Sequence, residues 1–240
     1  MIDKYHHIRV FRCIFIRRYL NRQGGFTLLE VSIVLLIMGF LLASVMQPMG
    51  ARMMERQRNE TLQQLSSIRE ALIGYAAVHH RLPCPVDAQA QSNCTSAHGY
   101  VPVVELGLSG HYDGRGLLVD SWGNPYRYHV SLSDSNNDGA ADFVIAGQMR
   151  EVSMQRLLPE FEVCEAATCG QLRANRLPVV LSSDGAGHSN SADESENQDS
   201  DNRFVSRDLD TVGADQFDDI VVWLSGNILY TRLLQAQVLP

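Results

Sequence analysis

The run Asp134-Ser135-Asn136-Asn137-Asp138-Gly139-Ala140-Ala141-Asp142 sets oxygen donors at alternate positions before a glycine. A hard cation such as calcium takes roughly six to eight oxygens, and this D-x-N-x-D-G spacing lets Asp134, Asn136 and Asp138 converge while Gly139 permits the sharp turn. The Ala140 carbonyl and Asp142 then fall where later ligands stand. The bidentate glutamate of a full calcium loop is missing, because Ile145 occupies its place. A solvated Asn/Asp turn is the competing reading. Two sets suggest nucleophilic chemistry, Ser182 with Asp184 and His188, and His79 with His80 and Cys84. Neither carries more than proximity in sequence, and the chain has no G-x-S-x-G elbow, phosphate loop or H-E-x-x-H, so no catalytic residues and no enzyme are expected.

The remaining chemical feature is one carboxylate in the wrong solvent. Residues 26–46 contain no Lys, Arg, Asp or His, and at about 1.5 Å per residue they can cross a hydrocarbon core of about 30 Å. Glu30 interrupts them, at a cost of roughly 2.5–3.5 kcal/mol in lipid. A cut between Gly25 and Phe26 would create an α-ammonium four residues before Glu30, one helical turn away. Opposite charges about 4 Å apart attract by roughly 4 kcal/mol at an effective dielectric of about 20. Glu30 is therefore tolerable when paired. The amine of a neighbouring chain would serve as well, which makes the charge a device for setting helix register. The plainer alternative is an acid snorkelling to the interface.

These residues need elements to position them. The 240 residues are 45% apolar, enough for one globular domain beyond the span. The net charge is −7, and setting aside six basic residues and one acid before Phe26 leaves the remainder at −12. Such a chain has no general attraction for nucleic acid or anionic lipid. With Cys13 in the leader, four cysteines remain. Local pairing, Cys84 with Cys94 and Cys164 with Cys169, is the simplest of three connectivities and implies an oxidising compartment. A metal site combining cysteines with His79, His80 or His98 competes, but no C-x-x-C supports it.

A long helix is expected over 26–80, kinked near Pro48 and Gly50, with Leu62, Leu65, Ile68, Leu72, Tyr75 and Val78 as its buried stripe. Pro83 and Pro85 end it. Strands are expected at 100–104, 117–119, 126–132, 143–146, 179–182 and 220–224, with a last helix or strand after Asn227. This is an α+β arrangement, a helix on an antiparallel sheet over residues 81–240. Residues 182–202 are acidic and nearly devoid of apolar side chains, so a mobile loop is expected there.

Gly25-Phe26-Thr27-Leu28-Leu29-Glu30, after a basic leader and before an apolar run, resembles the prepilin signal of type IV pilins and type II secretion pseudopilins over residues 17–50. The resemblance implies a pilin-like fold and cleavage after Gly25 by a prepilin peptidase, with N-methylation of Phe26. It also implies pairing of Glu30 with a terminal amine in a filament of pilin or pseudopilin subunits. The implied location is the bacterial inner membrane, crossed once by 26–46, with the amino terminus cytoplasmic, the domain periplasmic and an inner-membrane assembly platform as partner. Asp120-Ser121-Trp122-Gly123-Asn124-Pro125-Tyr126-Arg127-Tyr128 resembles the aspartate-x-tryptophan-glycine turn of major pseudopilins, several of which bind calcium. The expected function is a structural subunit of a type II secretion pseudopilus or type IV pilus. The alternative is a monomeric membrane-anchored periplasmic module that binds calcium or another ligand. Glu30 separates the two, since a mere anchor has no use for a carboxylate in lipid.

Overall fold

The computed structural model describes residues 25–153, 155–187, 191–210 and 216–239, with 44–49 and 51 described by backbone alone. The leader expected over 1–25 lies outside the described residues except for Gly25, as do Cys13 and His188.

In chain order the elements are α1 (Leu28–His79), β1 (His98–Tyr100), α2 (Val103–Leu106), β2 (His111–Tyr112), β3 (Leu118–Val119), β4 (Arg127–Val130) and α3 (Gln148–Glu151). There follow β5 (Phe161–Cys164), β6 (Leu172–Leu177), β7 (Val179–Ser183), α4 (Ala192–Glu196), β8 (Arg203–Val205), β9 (Ile220–Leu224) and α5 (Gly226–Gln235). The chain divides into two compact units, through Gly50 and from Ala51 onward.

In the first unit α1 is apolar on every side. Phe26 is 79% exposed, and Leu28, Leu36 and Phe40 are similarly bare. A helix of this kind needs lipid or other helices around it. Among the described residues no helix is long and apolar enough to cross a membrane; the span expected over 26–46 includes 44–46, whose side chains lie outside the described residues. The helix runs past Pro48 and Gly50 without interruption, so the expected kink is not a break in secondary structure.

In the second unit the helix turns amphipathic. Leu65, Ile68, Leu72, Ile73 and Ala76 are buried, with Thr61 at the start of the stripe. The stripe thus begins at Thr61 rather than Leu62, which is exposed, steps from Leu72 to Ala76 rather than to Tyr75, and leaves Val78, expected inside, 71% exposed. A 3.6-residue period drifts off any fixed spacing of three or four, which is why Leu62, Tyr75 and Val78 slip off the buried side. The buried side packs on an antiparallel sheet of order β1-β4-β7-β9. Tyr128 and Val130 of β4, Val179 and Leu181 of β7, and Ile220 and Leu224 of β9 face it, together with Leu229 and Leu233 of α5.

The opposite face of that sheet is covered as well. A second sheet of order β6-β5-β8 packs Phe161, Val163, Leu177 and Phe204 against Val180, with Val221 and Trp223 alongside. Its β5–β8 pair is parallel. The expected helix on an antiparallel sheet is present, with this added layer.

Several boundaries differ for local reasons. The strand expected over 100–104 ends at Tyr100, because Pro102 starts the short α2 instead. Residues 143–146 form turns; Phe143 and Val144 are buried in the main core, while the Phe143 carbonyl accepts from the Leu82 amide at 2.7 Å. The last element is helical, and Ser225 caps it rather than Asn227, accepting from the Ile228 amide at 3.4 Å. The stretch expected as a mobile acidic loop holds the end of β7, all of α4 and buried Ser191, Glu194 and Asn197. Its acids are ordered by caps and hydrogen bonds, a source of structure that apolar content does not measure.

Leu72→Ala should lower unfolding free energy by about 2–5 kcal/mol, while Val78→Ala should change it by less than about 0.5 kcal/mol. Chemical denaturation of the detergent-solubilised chain checks both, and equal losses would place the stripe wrongly.

Candidate functional site

At the amino-terminal end, Thr27 and Glu30 form the first turn of α1. The Glu30 amide donates to Thr27 Oγ1 at 3.2 Å, and the Val31 amide donates to the Thr27 carbonyl at 3.1 Å. This is the threonine-x-x-glutamate spacing of a capping box, which the sequence displays and periodicity reasoning passed over. It places the Glu30 carboxylate in the first turn, beside the positive end of the helix. Thr27 is the cap, and the Glu30 side chain stands exposed in the turn that it caps.

Loop 134–142 is closed by its own hydrogen bonds. Asp134 accepts from the Asp138 and Gly139 amides at 3.1 and 2.8 Å. Asp138 accepts from Asn136 Nδ2 and from the Ala140 amide, both at 2.8 Å, and these bonds hold its carboxyl below the usual carboxylate range. Asn137 and Gly139 take left-handed backbone, as such turns require. Asp142 is fully buried, with one oxygen accepting from Ser135 and Ser133. The carboxylates of Asp134 and Asp138 are engaged by the loop's own amides and side chains, and Asp142 points into the fold with its second oxygen unpartnered.

The carboxylates that do converge were not singled out by spacing. One donor oxygen from each of Glu194, Asp218 and Asp219 lies within 4.8 Å of the others. Glu194 is 1% and Asp219 4% exposed. Ser191 caps α4 by accepting from the Glu194 amide at 3.3 Å, again a serine-x-x-glutamate spacing. Glu194 Oε1 accepts from the Asp218 amide at 3.2 Å, and Asp219 accepts from Asn197 Nδ2 at 2.8 Å. Asn197 also exchanges two bonds with the backbone of Val205, which ties α4 to β8.

The second oxygen of Asp219 has no hydrogen-bond partner. Burial, with Asp184, Glu194 and Asp218 nearby, pushes its carboxyl up to about 8 against the opposing bond from Asn197. Such a group either keeps a proton or shares a cation, and this cluster of acidic oxygens could hold a metal ion. A second group, Glu162 with Cys164 and Cys169, has both sulfurs joined to each other and offers no thiolate.

The Asp120 turn positions this cluster. Asp120 Oδ1 accepts from the Trp122 and Asn124 amides at 2.9 and 2.8 Å, and Oδ2 accepts from Ser183 Oγ at 2.6 Å. Asn124 Nδ2 donates to the Gly185 carbonyl at 2.7 Å. Gly185 has φ +67°, and a Cβ there would strike the backbone and carboxylate of Asp218, so only glycine fits. The Gly187 amide then donates to Asp218 at 2.7 Å. The tryptophan motif therefore acts through its aspartate, a polar anchor, more than through Trp122.

The remaining candidates are dispersed. Asp184 is paired with Arg127 at 2.9 Å, and Ser182 is buried within β7. His79 stacks on Tyr75 with centroids 4.1 Å apart. Cys84 is joined to Cys94 across 4.8 Å between Cα atoms, and Cys164 to Cys169 across 5.1 Å. Among the described residues no histidine joins a cysteine in a group that could hold a metal.

Residues 20–46 match the prokaryotic N-terminal methylation motif. The chain is similar to the type II secretion system core protein G of Escherichia coli (strain K12), 25% identical over 146 residues that cover 58% of this chain and 90% of that protein. It is also similar to the type II secretion system core protein G of Aeromonas hydrophila, 29% identical over 107 residues that cover 45% of this chain and 73% of that protein. No solved structure matches it. The chain thus combines a methylation-type amino terminus with a likeness to the type II secretion system core protein G of two bacteria.

Proposed function

We propose that the chain is a structural subunit of a type II secretion pseudopilus, cleaved after Gly25 and methylated on Phe26, that assembles through the apolar first part of α1. The observation that carries this reading is Glu30 in the first turn of a helix exposed and apolar all round. In water such a helix would aggregate. In a membrane followed by a filament, its surface meets lipid and then neighbouring helices, and Glu30 meets an amine. The likeness to type II secretion core proteins favours the pseudopilus over the pilus. On this reading 26–46 crosses the inner membrane once with the basic leader held in the cytoplasm, and the domain beyond lies in the periplasm. A prepilin peptidase and an inner-membrane assembly platform complete the set of partners.

The charge of Glu30 and the size of its side chain separate by substitution. Glutamine keeps the size and loses the charge, whereas alanine loses both. Glu30→Gln and Glu30→Ala should both be processed normally and both fall out of the filament. Pull-down of cross-linked subunits from cells reads this. Normal incorporation of the glutamine variant would overturn the pairing.

We also propose that the domain holds calcium, and that the ion sits at Glu194, Asp218 and Asp219 rather than in loop 134–142. Convergence of three carboxylates within 4.8 Å of one another supports that choice. Calcium at about a hundred times its dissociation constant should stabilise the chain by about 2.7 kcal/mol and raise its melting temperature. Asp219→Asn should abolish the rise, and Asp138→Ala should leave it intact. The opposite pattern would return the ion to Asp134, Asn136, Asp138, the Ala140 carbonyl and Asp142, and a melt that ignores calcium would remove it altogether.

A further inference from the structure

Two histidines sit between the sheets of the second unit and take no part in the sites above. His98 opens β1, and His129 lies opposite it in the antiparallel β1–β4 register. Their Nδ1 atoms are 2.8 Å apart. Such a bond needs one ring with a proton on Nδ1 and one with Nδ1 bare, so it exists only while at least one ring is neutral. His129 is 2% exposed, and its Nε2 has no hydrogen-bond partner. The ring centroid of Phe204 lies 4.7 Å from that of His129, and the centroid of Phe161 lies 5.7 Å from that of His98. Those phenylalanines belong to β8 and β5. The pair is therefore a polar centre in an otherwise apolar contact between the two sheets.

The charged groups around the pair are few. Arg127 acts on His129 from the same strand, and Asp199 and Asp201 act on His98 from the segment after α4. From the other elements Phe161, Phe204 and the register partner Val180 face it without charge. We propose that the His98–His129 pair, which joins β1 to β4 within the main sheet, is an acid-release latch: uncharged, its rings pack against Phe161 and Phe204 and keep the β6–β5–β8 sheet in place, and protonated they release it. A first proton, on the half-buried His98, is disfavoured by burial, which the two carboxylates only partly offset. A second has no acceptor. Two imidazoliums would then present donors to each other across 2.8 Å in an apolar layer.

The direction of the effect follows from burial. Desolvation lowers the proton affinity of both rings below the ordinary 6.5, with His98 and Arg127 lowering that of His129 further and the two aspartates partly opposing it at His98. The opened state therefore binds more protons. The latch contributes fully above pH 6.5 and is lost as pH falls below it. Each extra proton taken up on opening shifts the opening equilibrium about tenfold per pH unit, and two shift it about a hundredfold.

Hydrogen exchange of the full chain in detergent, read by mass spectrometry and corrected for intrinsic rates, tests this at about pH 7.5 and about pH 5.5. Peptides covering β5 and β8 should lose protection at least about tenfold on acidification relative to the buried α1 segment 61–76. His129→Phe, which keeps an aromatic ring between Phe161 and Phe204 without a titrating nitrogen, should reduce that loss to what His98 alone supplies. His98→Gln, at the half-buried position, should reduce its slope by about half. Unchanged relative protection in the unsubstituted chain would overturn the latch, as would an undiminished acid loss in both variants.

Discussion

Burial of β7 on both faces is the constraint on which the rest of the domain depends. Every residue from Val179 to Ser183 is buried. Side chains on a strand alternate, so Val179 and Leu181 demand one apolar cover and Val180 demands another. The amphipathic part of α1 supplies the first and the β6–β5–β8 sheet the second. Each fully buried aliphatic side chain is worth roughly 1.5–3 kcal/mol, and β7 also carries ladder partners on both edges, β4 and β9. Removing either cover would leave the central strand facing water.

The end of β7 delivers the polar chemistry. Ser183 donates to Asp120, and Asp184 pairs with Arg127, where the strand leaves the core. From there Gly185 and Gly187 wrap Asp218, and Asp218 adjoins Asp219 at the start of β9. The acidic cluster is thus assembled by two neighbouring strands and held from the side by α4. Its carboxylates are expensive to bury unless neutralised, and the structure surrounds them with hydrogen bonds from Asn197 and from backbone amides.

The same local device appears at both ends of the chemistry. Thr27 with Glu30 and Ser191 with Glu194 each set a glutamate on the first turn of a helix. In one case the glutamate is exposed on an apolar helix and is free to find a partner. In the other it is buried among acids. Both spacings are visible in the sequence; what differs is the environment, which spacing does not encode. Loop 134–142 makes the converse point. Its residue pattern matches a cation loop, yet the same carboxylates satisfy the loop's own amides, because Asx turns and ion loops call for the same residue types.

Sequence alone determined what depends on neighbours in the chain. The methylation motif, the apolar run with its single acid, the strand at Ile220–Leu224 and the Asp120 turn all follow from side chains a few residues apart. Tertiary structure alone decided what depends on residues far apart. Asp219 meets Glu194 across 25 positions and His98 meets His129 across 31. Whether a carboxylate is a surface charge or a ligand, and whether a histidine is solvated or locked in an apolar layer, is set by desolvation and by partners brought together on folding. Those energies belong to the packed layers around β7, and no local pattern specifies them.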